Sequence, residues 1–401
     1  MKLANEQMEN EVKDALKKHL KGAKSSTIET LARRIGILPS ERVRMATDLG
    51  IALAGTSLRA SIEFFKSAAE ISRLLDTPDM RLWGEIGRRL AATSADTAID
   101  FFQSSAAVLH EVPSVMRPAV LRLASKQAAL SANTAVDCFK SSWTIINSIG
   151  DPGTAGELLN ICLELARHSV KHSYDLLRLA PAVIAQLRLA SGSPLDSAEV
   201  LTEGSTATSV ESPQQGRTQE RRSNWLIERT VALTSAFAYK SGGTAAEFFA
   251  ELPRIAPIAA EAADGRPPSS LEKLFSNTEV YLERSGGVAL QYYKAASRVL
   301  LIAGEESFDR WTALAKRVAF QGNAASYHFM KASPQIVADL GARVGTDRRA
   351  QVVAAVLSIV EEIGERNSAA AVECFKASAL ALGAATLTQF GEWARRGLEI
   401  S

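Results

Sequence analysis

The sequence predicts an all-α protein, an α-solenoid of about eight helix-pair repeats of HEAT-like or TPR-like character, each of roughly 37 residues. Three observations predict it. A short word recurs along the chain as EFFKSA, DFFQSS, DCFKSS, DLLRLA, EFFAEL, QYYKAA, YHFMKA and ECFKAS. Small and helix-capping residues recur in fixed register with that word. No window combines sustained period-two alternation with β-branched enrichment, so no strand is expected.

The third residue of each word is a large apolar anchor: Phe65, Phe102, Phe139, Leu177, Phe249, Tyr293, Phe329 and Phe375. Eight residues earlier stand Ser57, Ser94, Ser131, Ser169, Ser241, Ser285, Gln321 and Asn367, and all but Gln321 are types that cap or turn a helix. These positions mark the corner of each repeat. Four residues before the anchors the chain has Ser61, Ala98, Ala135, Ser173, Ala245, Ala289, Ala325 and Ala371. Three residues after them come Ala68, Ser105, Ser142, Ala180, Leu252, Ala296, Ala332 and Ser378, of which only Leu252 is large. Small residues on both sides of a large one let two helices approach while the ring fills the gap.

Each repeat reads as a helix pair. Before the corner, apolar residues fall at helical spacing, as in Leu82, Ile86 and Leu90, or Val352, Val356, Ile359 and Val360. After it they do so again, as in Val136, Phe139, Trp143 and Ile146, or Val372, Phe375, Ala379 and Leu382. The anchors follow one another almost evenly from Phe65 to Leu177 and unevenly thereafter, with the widest gap between Leu177 and Phe249 and longer intervals again before Tyr293 and Phe375.

Residues 1–40, with the segment EVKDALKKHLKGAK, are expected to form an N-terminal helical cap, and 41–190 to hold repeats one to four. The stretch 191–222 lacks aromatics and is rich in Ser, Thr, Gly, Gln and charge. Such a composition cannot bury enough apolar surface to offset ordering, so a disordered insertion is expected, as spacer, tethered motif or phosphorylation site. Residues 223–401 are expected to hold repeats five to eight, interrupted by EAADGRPPSS at Glu261 to Ser270. From Leu387, LTQFGEWARRGLEIS reads as the first helix of a ninth repeat. An uncapped solenoid end leaves an apolar face open, which implies a longer protein or a docking partner.

The composition suits an interaction protein. The 401 residues are 46% hydrophobic, and the formal net charge is +2, so no strong field favours nucleic acid or anionic membrane. The N-terminus carries no apolar stretch of signal-peptide type, and no run of about 18 apolar residues could span a bilayer. Cys138, Cys162 and Cys374 do not suggest a disulfide framework and read as small buried hydrophobes in a reducing cytoplasm.

Catalytic motifs are missing: the chain has no GxxxxGK[ST], CxxC, HExxH or GxSxG. A non-enzymatic role is therefore expected, with neither cofactor nor metal. The one metal-like grouping is Cys162, His168 and His172. Because Ser169 is a corner, the two histidines should fall on different helices and lose their i,i+4 geometry. A more regular pattern lies on the second helices. Two residues before the anchor stand Glu63, Asp100, Asp137, Asp175, Glu247 and Glu373, and one residue after it Lys66, Lys140, Arg178, Lys294 and Lys376. Acid and base three apart predict intrahelical pairs, stacked by the repeat into charged rows. These rows are either solvated edges or a docking surface for a protein partner.

With its FF-K core, small residues and the Trp-containing first helices LWGEIGRRLA, RWTALAKRVA and QFGEWARRGLEIS, the chain resembles, over roughly Glu41 to Ser401, the helical-repeat region of bacterial von Willebrand factor A domain proteins of the NorD and CbbO type. That resemblance implies an adaptor for a MoxR-type AAA+ ATPase that remodels or activates a metalloenzyme or rubisco. The DxSxS metal-adhesion motif of the von Willebrand domain has no counterpart here, so only the scaffold half of the role carries over. Alternatives are a nucleic-acid-binding or lyase-type HEAT-like repeat protein, the first needing a basic groove and the second a convergent acid and base.

Overall fold

The structure, a computed structural model, describes residues 2–190, 213–260, 268–320, 322–342, 346–382 and 386–400. All regular secondary structure among them is helical. The chain divides into two compact units, Met1–Pro181 and Ala182–Ser401.

The N-terminal unit contains α1 (Lys2–His19), α2 (Ser25–Gly36), α3 (Ser40–Ala54), α4 (Leu58–Leu74), α5 (Thr77–Thr93), α6 (Ala95–Glu111), α7 (Arg117–Gln127), α8 (Ala132–Ile149), α9 (Pro152–His168) and the start of α10 (Val170–Ala190). Each odd-numbered helix from α1 to α7 packs on the next even one and on the next odd one, while α2, α4, α6 and α8 stack in their own layer. Two layers of first and second helices result, which is solenoid packing. The segment expected as a cap takes part in it, because α1 stacks on α3 and α2 on α4.

Local chemistry sets the helix boundaries. First helices α5 and α9 begin at Asp76 and Asp151, whose carboxylates accept from the backbone N–H groups of Asp79 (2.9 Å) and Thr154 (2.7 Å), with Pro in the first turn. Second helices begin at the corner serines. Ser57, Ser94, Ser131 and Ser169 accept from the amides of Ala60, Thr97, Thr134 and His172, and Asn367 accepts from Ala369 and Ala370. Ser241 and Ser285 hold the same extended corner backbone without a side-chain bond, and Gln321 lies outside the described residues. At the other end of α4, Arg42 and Arg117 both donate to late carbonyls, those of Ser72 and Leu74. Cations there satisfy orphan C=O groups and complement the helix dipole.

The C-terminal unit contains α11 (Pro213–Lys240), α12 (Gly242–Glu251), a 3-10 turn at Leu252–Ile255, α13 (Ala256–Ala260), α14 (Ser269–Arg284), α15 (Gly286–Ala319), α16 (Asn323–Ala342), α17 (Thr346–Arg366), α18 (Ser368–Ala381) and α19 (Leu387–Ile400). Helix α15 is two expected elements run together, the second helix of one repeat and the first of the next. They meet at Gly304, whose φ of 79° and ψ of −179° break the helix. Helix α11 starts at Pro213, inside the stretch 191–222 expected to be disordered, and residues 191–212 lie outside the described ones, as do 261–267 of the second break. Helix α19 stacks on α17, burying Phe390 and Gly391 and leaving Trp393 largely exposed.

The core of each unit is a ladder of rings. All the anchors are buried, each at 1% exposure or less. In three repeats the residue before the anchor reaches the anchor of the following repeat: Phe64 meets Phe102 (5.5 Å between centroids), Phe101 meets Phe139 (5.5 Å) and Phe248 meets Tyr293 (4.8 Å). Edge-on aromatic contacts of this kind add about 0.5–1.5 kcal/mol beyond area burial. The indole of Trp83 sits among them, 5.1 Å from Phe64 and 5.0 Å from Phe102, and donates to the Ser105 hydroxyl at 2.9 Å.

The ladder corrects one anchor. Phe329 meets Phe375 at 5.7 Å, so it fills the place of Phe64, Phe101 and Phe248, the position before the anchor. The anchor of that repeat is Met330, which is fully buried. The small positions shift with it: Ser326 and Ser333 are buried, whereas Ala325 and Ala332 are only half-buried. Trp311 then precedes Met330 by the same interval that separates Trp83 from Phe102. The word YHFMKA misleads because its two leading residues include one extra position, and a thioether replaces the expected ring.

Candidate interaction surface

With the buried side of each second helix committed to the ring ladder, the charged positions fall on the opposite, solvent-facing side. There the acid and base positions pair in two ways. Lys66 reaches Glu63 and Lys376 reaches Glu373, each at 2.7 Å within its own helix, as the i,i+3 spacing predicts. Lys140 and Lys294 depart from that expectation. Lys140 pairs with Asp100 at 2.9 Å and Lys294 with Glu247 at 3.0 Å. In both cases the base crosses to the acid of the preceding repeat.

Stacking explains the second mode. A lysine has a reach of several methylenes, and neighbouring second helices lie side by side, so the acid next door competes with the acid one turn away. Asp137, which Lys140 leaves free, instead accepts the Tyr174 hydroxyl of the next repeat at 3.0 Å. Burial and that carboxylate together hold the Tyr174 phenol above its ordinary value. Asp175 and Arg178 share one helix with no ion pair between them among the described residues. The pairs are half exposed, for example 49% and 51% for Lys140 and Asp100, so each contributes about 0–1 kcal/mol. The cross-repeat pairs Lys140–Asp100 and Lys294–Glu247 each tie adjacent repeats within their own unit. The first helices carry a similar tie between α14 and α15, where Lys273 pairs with Asp309 at 2.7 Å beside the exposed Lys316 in a shallow groove.

The corrected register adds a base the sequence reading missed. Lys331 follows Met330 and so belongs to the same row as Lys294 and Lys376. It lies 5.9 Å from the ring of Tyr327, over its face. The acid position of that repeat is His328.

Other candidates resolve in place. His168 ends α9 and His172 lies in the first turn of α10, separated by the extended Ser169, so the two imidazoles do not share a helix. No group of three His, Cys, Asp or Glu side chains among the described residues is arranged to hold a metal. Cys138 and Cys162 are buried, and burial pushes the Cys138 thiol up to about 12 and raises Cys162 as well. The half-buried Cys374 is pushed by burial up to about 11. Thiols so far from ionisation are packing groups rather than nucleophiles. Among the described residues no helix is long and apolar enough to cross a membrane.

No family model, no curated protein and no solved structure matches this chain.

Proposed function

We propose that this chain is a non-catalytic protein-interaction scaffold, whose second helices present an ordered charged surface to a protein partner. One observation carries the reading: charged residues flanking most of the buried anchors recur in register on the exposed side, where they interlock from repeat to repeat through Asp100–Lys140 in one unit and Glu247–Lys294 in the other. A regular polar surface over a stacked apolar core is what repeat proteins use for extended recognition. Mechanistically the chain is passive. It supplies a preformed surface, and the partner supplies any chemistry.

The partner class rests on the resemblance to the NorD and CbbO type, which implies a MoxR-type AAA+ ATPase and its metalloenzyme or rubisco target in the cytoplasm. Affinity capture from the native lysate, with and without a non-hydrolysable ATP analogue, tests it by mass spectrometry. Nucleotide-dependent recovery of an AAA+ ATPase is the expected result. Recovery of nucleic acid instead, or binding untouched by combined charge reversal of Lys66, Lys140 and Arg178, counts against this surface as the docking face.

A further inference from the structure

The two pairing modes define a rule. Four bases of the row take either the acid of their own repeat or the acid of the repeat before, while Arg178, with an acid at both places, pairs with neither among the described residues. Lys66 and Lys376 use the first, Lys140 and Lys294 the second. Lys331 has neither. Its own acid position is His328, and the preceding one is Gln291, which stands at the same sequence interval from Lys331 as Asp100 does from Lys140. Among the described residues no carboxylate pairs with Lys331, which rests over the Tyr327 ring instead. The departure is confined to the surface. Beneath it Met330, Ser326 and Ser333 are buried and Phe329 meets Phe375, so the repeat keeps its core while replacing both outward acids.

Taking the interaction reading above as its premise, we propose that this gap binds an acidic segment of a protein partner, one of whose Asp or Glu carboxylates takes the place the array's own acid holds elsewhere. Gln291 on α15 and His328 and Lys331 on α16, two helices packed on each other, offer an amide donor, an imidazole and an ammonium, and all three are at least partly exposed. An isolated carboxylate suits it better than a polyphosphate strand. The neighbouring bases Lys294 and Lys376 are already paired, with Glu247 and Glu373, so the site offers one ammonium to a carboxylate and not the run of cations that a nucleic-acid backbone needs.

The test restores the missing acids in cis. Binding of a fluorescein-labelled polyglutamate peptide to the full chain is followed by anisotropy, with a neutral Gly/Ser peptide and a single-stranded oligonucleotide as comparators. Gln291→Glu and His328→Glu, which return the array to its own pattern and leave the core alone, are expected to weaken polyglutamate binding about tenfold or more, as is Lys331→Glu. The same change at Lys21, an exposed base outside the row, is expected to leave it intact, and thermal melting checks that every variant is folded. Equal polyglutamate binding by the wild type and Gln291→Glu/His328→Glu overturns the proposal, as does tighter, equally sensitive binding of the oligonucleotide. Lysate capture separates this from the broader reading. A partner retained by the double variant removes this site and leaves the scaffold standing, whereas a wild type that binds polyglutamate but captures no protein removes the scaffold.

Discussion

The tip of the Phe102 ring occupies the space a side chain on Gly87 would need: a β-carbon there would lie 1.9 Å from Cζ and 2.3 Å from Cε1. The same relation joins Gly50 to Phe65, also at 1.9 Å. The anchor ring is thus socketed onto bare backbone of the first helix, and the glycine precedes its anchor by the same sequence interval in both repeats. Alanine is favoured over glycine inside a helix by about 1 kcal/mol, but overpacking a core costs about 1–3 kcal/mol. Because Phe102 is fully buried and cannot swing aside, Gly87→Ala is expected to lower the unfolding midpoint. In a Phe102→Leu background the penalty should shrink or reverse. Additive effects of the two changes in a double-mutant cycle would contradict the socket.

The corner residues differ in what their side chains do, although their backbones match. Ser94 and Ser131 accept an amide N–H, and Ser131 is part of a reciprocal box with Thr134. Their replacement by Ala should cost about 1 kcal/mol each. Ser241 makes no such bond, so Ser241→Ala should cost much less. Denaturant unfolding of the three variants gives the comparison. An equal cost at all three positions would show that the side-chain bonds do not account for the preference for serine.

Period and polarity made much of this fold legible. The recurring word located the anchors, and the serines located corners that the structure shows as extended residues between helices, as at Ser57, Ser94 and Ser169. What escaped were features set by contacts across repeats. Gly50 and Gly87 stand in register with their anchors, but a helical glycine carries no outward sign of the ring above it. Lys140 chose the acid of the preceding repeat over Asp137 one turn away, and Lys294, whose own acid position holds Gln291, reached the preceding repeat as well, outcomes that depend on interhelical spacing rather than on the helix itself. Met330 was missed because the repeat was read by its rings, and a thioether took the anchor's place.

Gly304 should be intolerant for a reason opposite to that of Gly87. Its φ of 79° with ψ of −179° lies in a region essentially reserved for glycine, yet beyond its own chain neighbours and adjoining helix backbone nothing lies within 4 Å of where a β-carbon would stand. The cost of Gly304→Ala is therefore backbone strain, of order 1–3 kcal/mol, without steric clash. Asn, which tolerates the left-handed helical region, should not rescue it, since the extended ψ lies outside that region. Calorimetric melting of the Ala and Asn variants measures both, and a wild-type melting temperature for either would show that the break between the two halves of α15 relaxes freely.

The corrected register of the seventh repeat makes a prediction that the uncorrected one reverses. With Met330 as anchor, the close-approach position four residues before it is Ser326, at 1% exposure, and its neighbour Ala325 is only half-buried. Ser326→Leu must then force a large side chain between packed helices, an overpacking of about 1–3 kcal/mol. Ala325→Leu has room at the margin and should be nearly neutral. Had Phe329 been the anchor, Ala325 would be the intolerant position and Ser326 the permissive one. Unfolding midpoints of the two leucine variants decide between the registers. The same result decides whether Lys331 belongs to the charged row, because its place there follows from Met330 alone.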